Sequence, residues 1–153
     1  MKTMNLFNST VDEVSIVYHP TVRPSERQKI NSSSSAHEIL RCIWNEQIDL
    51  YESFYILLLN RANKVLGYRC ISQGGVSGTV VDPKAIFQAA LLANASNIIL
   101  AHNHPSGSLI PSDADEKITR KIKSAGEFLE ITVLDHLILG EDHFFSFADE
   151  GRL

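Results

Sequence analysis

Short apolar runs separated by polar turns predict the strands of this chain. Residues 54–59 form a continuous apolar run that ends in the polar turn 60–63, and the stretch 64–72 is rich in Val, Tyr and Ile. This combination predicts a hairpin in the middle of a sheet. A second apolar run, at 97–100, predicts a buried strand. Three further β-like pieces follow towards the C-terminus, at 131–134, 136–139 and 144–147.

Start signals and helical spacing of apolar residues predict three helices. Ser35 and Glu38 have the spacing of a capping box, and apolar residues recur behind them at helical intervals. The Asp-Pro pair at 82–83 predicts the N-cap and first turn of an alanine-rich helix over 85–95. A third helix is predicted to begin at Ser112, after a polar loop.

Together these elements predict an α/β domain with a mixed central β-sheet flanked by helices. A short edge strand is expected at 14–18, so that the predicted order is β-α-β-β-α-β-α-β-β. We therefore expect residues 1–31 to form an N-terminal extension that contains this edge strand. Residues 32–153 are expected to form the domain itself.

The overall charge gives no signal for nucleic-acid or membrane binding. The chain has 153 residues, of which 44% are hydrophobic, and a net charge of −4, so that anionic partners gain no general attraction. One basic cluster falls on the third predicted helix, where it is interleaved with apolar residues. A solvated helix face is the favoured interpretation, and a phosphate-binding patch the alternative. The cluster consists of Lys117, Arg120, Lys121 and Lys123.

The sequence favours a cytoplasmic location. The first residues do not lead into the apolar segment of a secretory signal, and no apolar stretch approaches the length needed to cross a bilayer. Cys42 and Cys70 lie far apart without C-x-x-C spacing, so that we expect two partly buried thiols in a reducing compartment. Nothing in the pattern indicates an oligomeric state.

Two histidines at the end of the 97–100 run are the first candidate for chemistry. His102 and His104 are separated by one residue, and alternate residues of a strand point to the same side. Both imidazoles can therefore converge on one point. We favour a metal ion at that point, and zinc suits imidazole ligands best among the common ions. Asp113 and Asp115 follow at the next helix start, and spacing alone does not choose between them as a third ligand. Three such ligands leave a fourth position of zinc open for water.

The same residues resemble the signature of a known family. His102-x-His104-Pro105, followed by Ser112-x-x-Asp115, resembles the JAMM motif of the JAB/MPN metalloprotease superfamily. The stretches 134–140 and 145–147 are similar to its bacterial RadC branch. The resemblance extends from about residue 32 to the C-terminus, and it implies the JAB/MPN fold, which is similar in outline to that of cytidine deaminases.

The resemblance also implies a ligand set and a catalytic acid. It favours Asp115 over Asp113 and implies one zinc ion held by two histidines and this aspartate. In the family a glutamate at the head of a central strand lies beside the metal site, and Glu52 matches that position. A surface acid in a helix–strand loop is the alternative interpretation of Glu52. Glu46 is a weaker match because it falls inside the first predicted helix.

Hydrolysis of an amide or isopeptide bond is the mechanism that follows. Zinc lowers the pKa of a water molecule to about 7, Glu52 transfers its proton to the leaving amine, and Ser112 Oγ donates to the developing oxyanion. Ser112 and Asp115 equally satisfy a helix capping box, and the two roles are compatible. The substrate is expected to be a peptide or an isopeptide-linked protein.

Three other functions compete with this hypothesis. The RadC branch carries a DNA-repair label, which suggests a non-enzymatic role in DNA metabolism, although the acidic charge lends it little support. A zinc deaminase is disfavoured because its Cys-x-x-Cys signature is missing. A scaffold domain without catalysis is disfavoured by the intact ligand set.

Neighbouring polar residues of the motif are expected to play supporting parts. Asn103 points away from the ligand side by strand alternation, which favours packing or a hydrogen bond. The pair Asp135-His136 is expected either to support a ligand or to be a buried structural pair.

Overall fold

A computed structural model describes residues 14–15, 17–44, 48–75 and 78–153 of the chain. Five strands and three α-helices account for most of this part, and a single 3₁₀ turn at Pro24–Glu26 precedes them. In chain order the elements are α1 (Ser33–Ile43), β1 (Ser53–Leu59), β2 (Val65–Gln73), α2 (Pro83–Leu92), β3 (Asn97–Asn103), α3 (Asp113–Phe128), β4 (Thr132–Leu139) and β5 (Phe144–Ser146).

The strands form one mixed sheet in the order β2-β1-β3-β4-β5. β3 and β4 are parallel, with α3 as the connection between them, and the other neighbours are antiparallel. The predicted α/β class with a mixed central sheet flanked by helices is confirmed. β3 is the central strand of the sheet. The loop that follows its carboxyl end, and the start of α3 after that loop, therefore lie at the middle of the sheet rather than beside an outer strand.

Each face of the sheet has its own apolar core. Ile56 and Leu58 of β1 point to the face that α2 and α3 cover, whereas Tyr55, Leu57 and Leu59 point to the face that α1 covers. This explains why the β1 sequence is apolar without alternation, since both of its faces are buried. Burial of each such side chain contributes roughly 1.5–3 kcal/mol relative to exposure, so that β1 and β3 form a rigid base for the loops they carry.

The strand predictions need three corrections. Val14, Ser15, Val17 and Tyr18 form no strand, and Ile16 lies outside the described residues. Tyr18 instead packs on the α2–α3 core, and its hydroxyl donates to the carbonyl of Leu66 over 2.7 Å. The 64–72 stretch pairs with β1 as predicted, but β2 is an edge strand. The pieces 131–134 and 136–139 largely form one strand, β4, because the buried Asp135 continues it.

The three helices are present, with one start and one end shifted. α1 is capped by Ser32, whose Oγ accepts from the backbone N–H of Ser35 while Ser35 Oγ accepts from that of Ser32. The predicted Ser35–Glu38 capping box is therefore wrong. The observed box begins three residues earlier, with Ser32 as the N-cap and Ser35 as the residue that returns the bond. Asp82 caps α2 as predicted, but α2 ends at Leu92 rather than at residue 95.

Two expectations on surface properties have different outcomes. Among the residues of the described ranges, no helix has the length and apolar character needed to cross a membrane. Cys42 and Cys70 are both free, but they are exposed rather than partly buried, since one lies on the outer side of α1 and the other on the edge strand β2.

Candidate metal centre

Sheet register places the two histidines at the carboxyl end of β3. His102 lies between Phe54 of β1 and Ile138 of β4, and it is only 1% exposed. His104 is the second residue after His102 and follows the last residue of the strand, with 15% of its side chain exposed. The strand therefore holds one imidazole inside the domain and presents the other at its surface.

His102, His104 and Asp115 converge on one point. The Nε2 atoms of the two histidines are 3.0 Å apart, and Asp115 places Oδ1 at 3.1 Å from that of His102 and Oδ2 at 3.3 Å from that of His104. All three possible ligand atoms lie within 4.8 Å of one another. Asp113, the alternative third ligand, is exposed on the first turn of α3 and does not belong to this group.

The start of α3 fixes the carboxylate of Asp115. Ser112 caps the helix by accepting from the backbone N–H of Asp115, and both the backbone N–H and the hydroxyl of Ser112 donate to Asp115 Oδ2 over 2.7 Å. A helix N-terminus also stabilises negative charge. The capping role of Ser112 and Asp115 is thus present, and the same bonds aim Asp115 at the histidines.

Electrostatics keep Asp115 ionised in this arrangement. Burial alone would raise the pKa of Asp115, but the close imidazoles of His102 and His104 outweigh burial and hold that pKa well below its usual range. The hydrogen bond with Asp115 conversely raises the pKa of His104 above its ordinary value. The cluster is therefore built around a negative charge, as a cation site requires.

The donor set fits a zinc ion. His104 Nδ1 lies 2.8 Å from the carbonyl oxygen of Ser108, which can only accept, so that Nδ1 carries a proton. In the neutral imidazole the lone pair of His104 is then on Nε2 and points at His102 and Asp115. Two imidazole nitrogens and a carboxylate oxygen are a ligand set of open zinc sites, with one position left for water or substrate.

Glu52 and Ser112 share a cleft with these three residues. Its volume is about 480 Å³, and Phe54 and Ile118 add apolar surface to it. Glu52 immediately precedes β1 and is half-buried, and its backbone is bonded to Gly74, whose N–H donates to the Glu52 carbonyl over 2.8 Å. Sequence-predicted site residues from two strand ends and a helix start are thus brought together. The alternative acid, Glu46, lies outside the described residues.

Asn103 ties the Glu52 segment to β3. It is fully buried; its Oδ1 accepts from the backbone N–H of Ser53 over 2.8 Å, and its Nδ2 donates to the carbonyls of Ile48 and Tyr51. The sequence predicted only a packing or hydrogen-bonding role away from the ligands. The bonds show that this residue, which separates the two histidines, also holds the backbone on both sides of Glu52.

The pair Asp135-His136 divides into two roles. Asp135 accepts from the hydroxyl of Ser146 and makes no contact with the ligand group. His136 is fully buried, and its Nε2 is 2.8 Å from His102 Nδ1. Thr119 is a further buried polar residue near the site that the sequence analysis did not single out. A signal was available, because Thr119 follows Asp115 by four residues and so shares its helix face.

The basic cluster of α3 lies outside the cleft. Lys117, Arg120 and Lys121 are exposed and Lys123 is half-buried, which agrees with a solvated helix face. Arg120 also approaches Glu116 at 3.6 Å on the same helix.

Comparison with known proteins gives a consistent family. Residues 30–152 match the family model of the RadC-like JAB domain. A UPF0758 protein of Flavobacterium johnsoniae is 48% identical over 124 residues, which cover 81% of this chain and 53% of the relative. A UPF0758 protein of Porphyromonas gingivalis is 41% identical over 136 residues, covering 88% of this chain and 59% of the relative.

A UPF0758 protein of Chlorobaculum parvum is 41% identical over 102 residues, covering 67% of this chain and 46% of the relative. The chain thus spans about half the length of the curated relatives it matches. The names of these relatives state no activity. On the family match and these identities, the chain belongs to the RadC-like JAB domain family.

Proposed function

We propose that this domain is a zinc-dependent hydrolase that cleaves an amide or isopeptide bond. The observation that carries the proposal is the convergence of His102, His104 and Asp115 within 4.8 Å, in a cleft that also contains Glu52. Bound zinc would supply a water molecule whose pKa is lowered to about 7. The negative carboxylate and the lone pair of His104 Nε2 support this ion.

The side chains around the cleft have distinct roles in this proposal. Glu52 takes the proton of the attacking water and passes it to the leaving amine, as general base and then general acid. Ser112 Oγ, whose proton is donated to Asp115 Oδ2 in this structure, would instead donate it to the oxyanion of the carbonyl under attack. The apolar surface of Phe54 and Ile118 excludes water from one side of the cleft.

A peptide or isopeptide-linked protein is the proposed substrate class. A role in DNA metabolism is the competing function, and the net charge of −4 offers it no general electrostatic support. Filter binding over a range of salt concentrations separates the two. Tight, salt-sensitive binding to DNA would favour the competing function.

The proposal also covers the extent of the domain and its location in the cell. We propose that residues 32–153 form the hydrolase domain and act in the cytoplasm. Residues 1–31 form an extension, of which Tyr18 and Ile30 contact the apolar cores of the domain.

Substitution of Glu52 tests the proposed chemistry. Glu52→Gln keeps size and polarity but removes the general base, so that hydrolysis of a peptide or isopeptide library should fall at least about 100-fold. Zinc content should stay at one ion per chain, as measured by atomic emission. Full activity of Glu52→Gln would show that Glu52 is not the base, and activity in a His102→Ala variant would remove the metal from the mechanism.

A further inference from the structure

A buried chain of hydrogen bonds starts at the proposed ligand His102 and returns to the helix that carries Asp115. His102 Nδ1 is 2.8 Å from His136 Nε2, and His136 Nδ1 is 2.6 Å from Thr119 Oγ1. Thr119 Oγ1 is in turn 2.6 Å from the carbonyl oxygen of Asp115. His102, His136 and Thr119 are each 2% exposed or less, so that bulk water is excluded from the links between them.

The last acceptor sets the direction of every bond in this chain. A backbone carbonyl can only accept, so that the single hydroxyl proton of Thr119 is donated to Asp115. Thr119 Oγ1 then accepts from His136, which requires the proton of His136 to be on Nδ1. Its Nε2 is consequently the acceptor, and His102 must donate from Nδ1.

The result is a fixed tautomer at the metal centre. With its proton on Nδ1, neutral His102 has its lone pair on Nε2, the atom that lies 3.1 Å from Asp115 Oδ1 and 3.0 Å from His104 Nε2. The opposite tautomer would place a proton where the ligand lone pair is needed. Phe147 stacks on the ring of His136, with centroids 4.9 Å apart, and this limits rotation of the imidazole.

We infer that His136 and Thr119 are positioning residues that hold His102 in the Nδ1–H tautomer, with its Nε2 lone pair aimed at the metal site. This inference rests on the proposed zinc site. The ring of His136 is fully buried, and each of its nitrogens meets one partner, His102 Nδ1 at Nε2 and Thr119 Oγ1 at Nδ1. These hydrogen bonds also join β3, β4 and α3 around the cleft. The positions of His102 and Asp115 therefore depend on the same bonds.

Nitrogen-15 NMR of the imidazoles in the metal-free 153-residue chain tests the tautomer directly. Two-bond couplings should place the protons of both His102 and His136 on Nδ1 at pH 8. A proton on Nε2 of His102 would overturn the inference, whether or not the protein binds zinc. This measurement needs no substitution. It reports the position of the imidazole protons themselves, which a purely structural role of His136 or Thr119 would not determine.

A pair of variants of Thr119 tests its effect on zinc. Thr119→Val removes the hydroxyl at nearly constant volume, whereas Thr119→Ser keeps it and serves as the matched control. Zinc affinity, measured by competition with a chromogenic chelator, should fall roughly 10–100-fold in Thr119→Val, as is typical when a partner of a metal ligand is lost. Thr119→Ser should stay within about threefold of wild type, by the same reasoning.

Equal zinc affinity in Thr119→Val and Thr119→Ser would contradict the inference, provided that circular dichroism shows both variants folded. If Thr119→Val does not fold, the same comparison with Thr119→Ala and Thr119→Ser decides. Failure of the wild-type protein to bind zinc would instead contradict the proposed function, and the NMR result would still decide the tautomer.

Discussion

Two buried aspartates of this domain have opposite surroundings. Asp135 lies among donors, since the Ser146 hydroxyl and the backbone N–H groups of His136 and Ala148 all point at its carboxylate over 2.6–3.0 Å. Asp115 also accepts from Ser112, but its Oδ1 faces His102 Nε2, and Oδ2 also approaches the imidazole of His104. A carboxylate whose oxygens all meet donors stabilises the fold, whereas one that also faces imidazole nitrogens has the surroundings of the proposed zinc site.

The pKa values differ in the same sense. Burial raises the pKa of Asp135, and the three hydrogen bonds offset this only in part. At Asp115 the histidines outweigh burial and hold the pKa well below its usual range. Burial of an aspartate is therefore not enough to indicate its role. The chemistry of its partners decides between a structural and a metal-binding function.

Substitution of Asp115 should have the largest effect on metal binding. Asp115→Asn can keep the bond from Ser112 and donate to the histidines, so that the metal-free fold should lose less than about 1 kcal/mol. Zinc affinity should fall by more than about 100-fold, beyond the loss typical for a partner of a ligand. Chelator competition and urea unfolding measure the two quantities, and unchanged zinc affinity would reverse the role given to Asp115.

Substitution of Asp135 should have the opposite profile. Asp135→Ala leaves the two buried donors of His136 and Ser146 without an acceptor, together with the part-buried N–H of Ala148. Each buried donor costs roughly 1–3 kcal/mol. We expect the free energy of unfolding to fall by about 2–4 kcal/mol, with one zinc ion still bound per folded chain. Asp135→Asn, which can still accept from two backbone donors, is the control. Loss of zinc from folded Asp135→Ala would mean that the two aspartates are not separate in function.

Asn103 allows a test of how the Glu52 segment is held. Asn103→Asp keeps the shape and the bond from Ser53, but it places negative charge against the carbonyls of Ile48 and Tyr51. We expect a loss of about 1–3 kcal/mol in the free energy of unfolding and faster hydrogen exchange at residues 48–53. Zinc binding should persist. Unchanged exchange in this segment would show that other contacts hold Glu52.

The contribution of Asp135 to the pH dependence of stability should be a smaller effect. Because its pKa in the folded state is raised above the ordinary value of 3.8, the folded protein binds this proton more tightly than the unfolded chain does. The stabilisation is fully present below pH 3.8 and is lost as pH rises through the raised pKa. Relative to Asp135→Asn, wild type should therefore lose stability as the pH rises. A difference that is independent of pH would exclude a raised pKa.

Local patterns of the sequence predicted the elements that carry His102, His104 and Asp115 better than their neighbours. Strand alternation at His102 and His104 and the cap at Ser112 depend on adjacent residues, and these features are present as expected. The edge position of β2 is not encoded in its own pattern, since a turn fixes pairing with β1 but not what lies on the other side. The local pattern did not explain Asp135, because two of its three donors, Ser146 and Ala148, lie 11 and 13 positions further along the chain.

The supporting contacts of the site were the least predictable. Thr119 reaches His136 across 17 positions of the chain, and Asn103 reaches the segment before β1 across about 50. Such contacts depend on how the sheet and α3 pack, which no single stretch of sequence specifies. Glu52 was identified only by family resemblance, because an isolated acid before a strand is common on protein surfaces.

X-ray absorption spectroscopy of the zinc-loaded protein tests the central claim most directly. We expect one zinc ion per chain, with two imidazole nitrogens at about 2.0–2.1 Å and carboxylate oxygen at about 2.0–2.2 Å. The imidazole signal should disappear in the His102→Ala, His104→Ala double variant, and the zinc should be lost from Asp115→Asn. A wild-type protein that retains no zinc, or one whose zinc lacks imidazole ligands, would contradict the account.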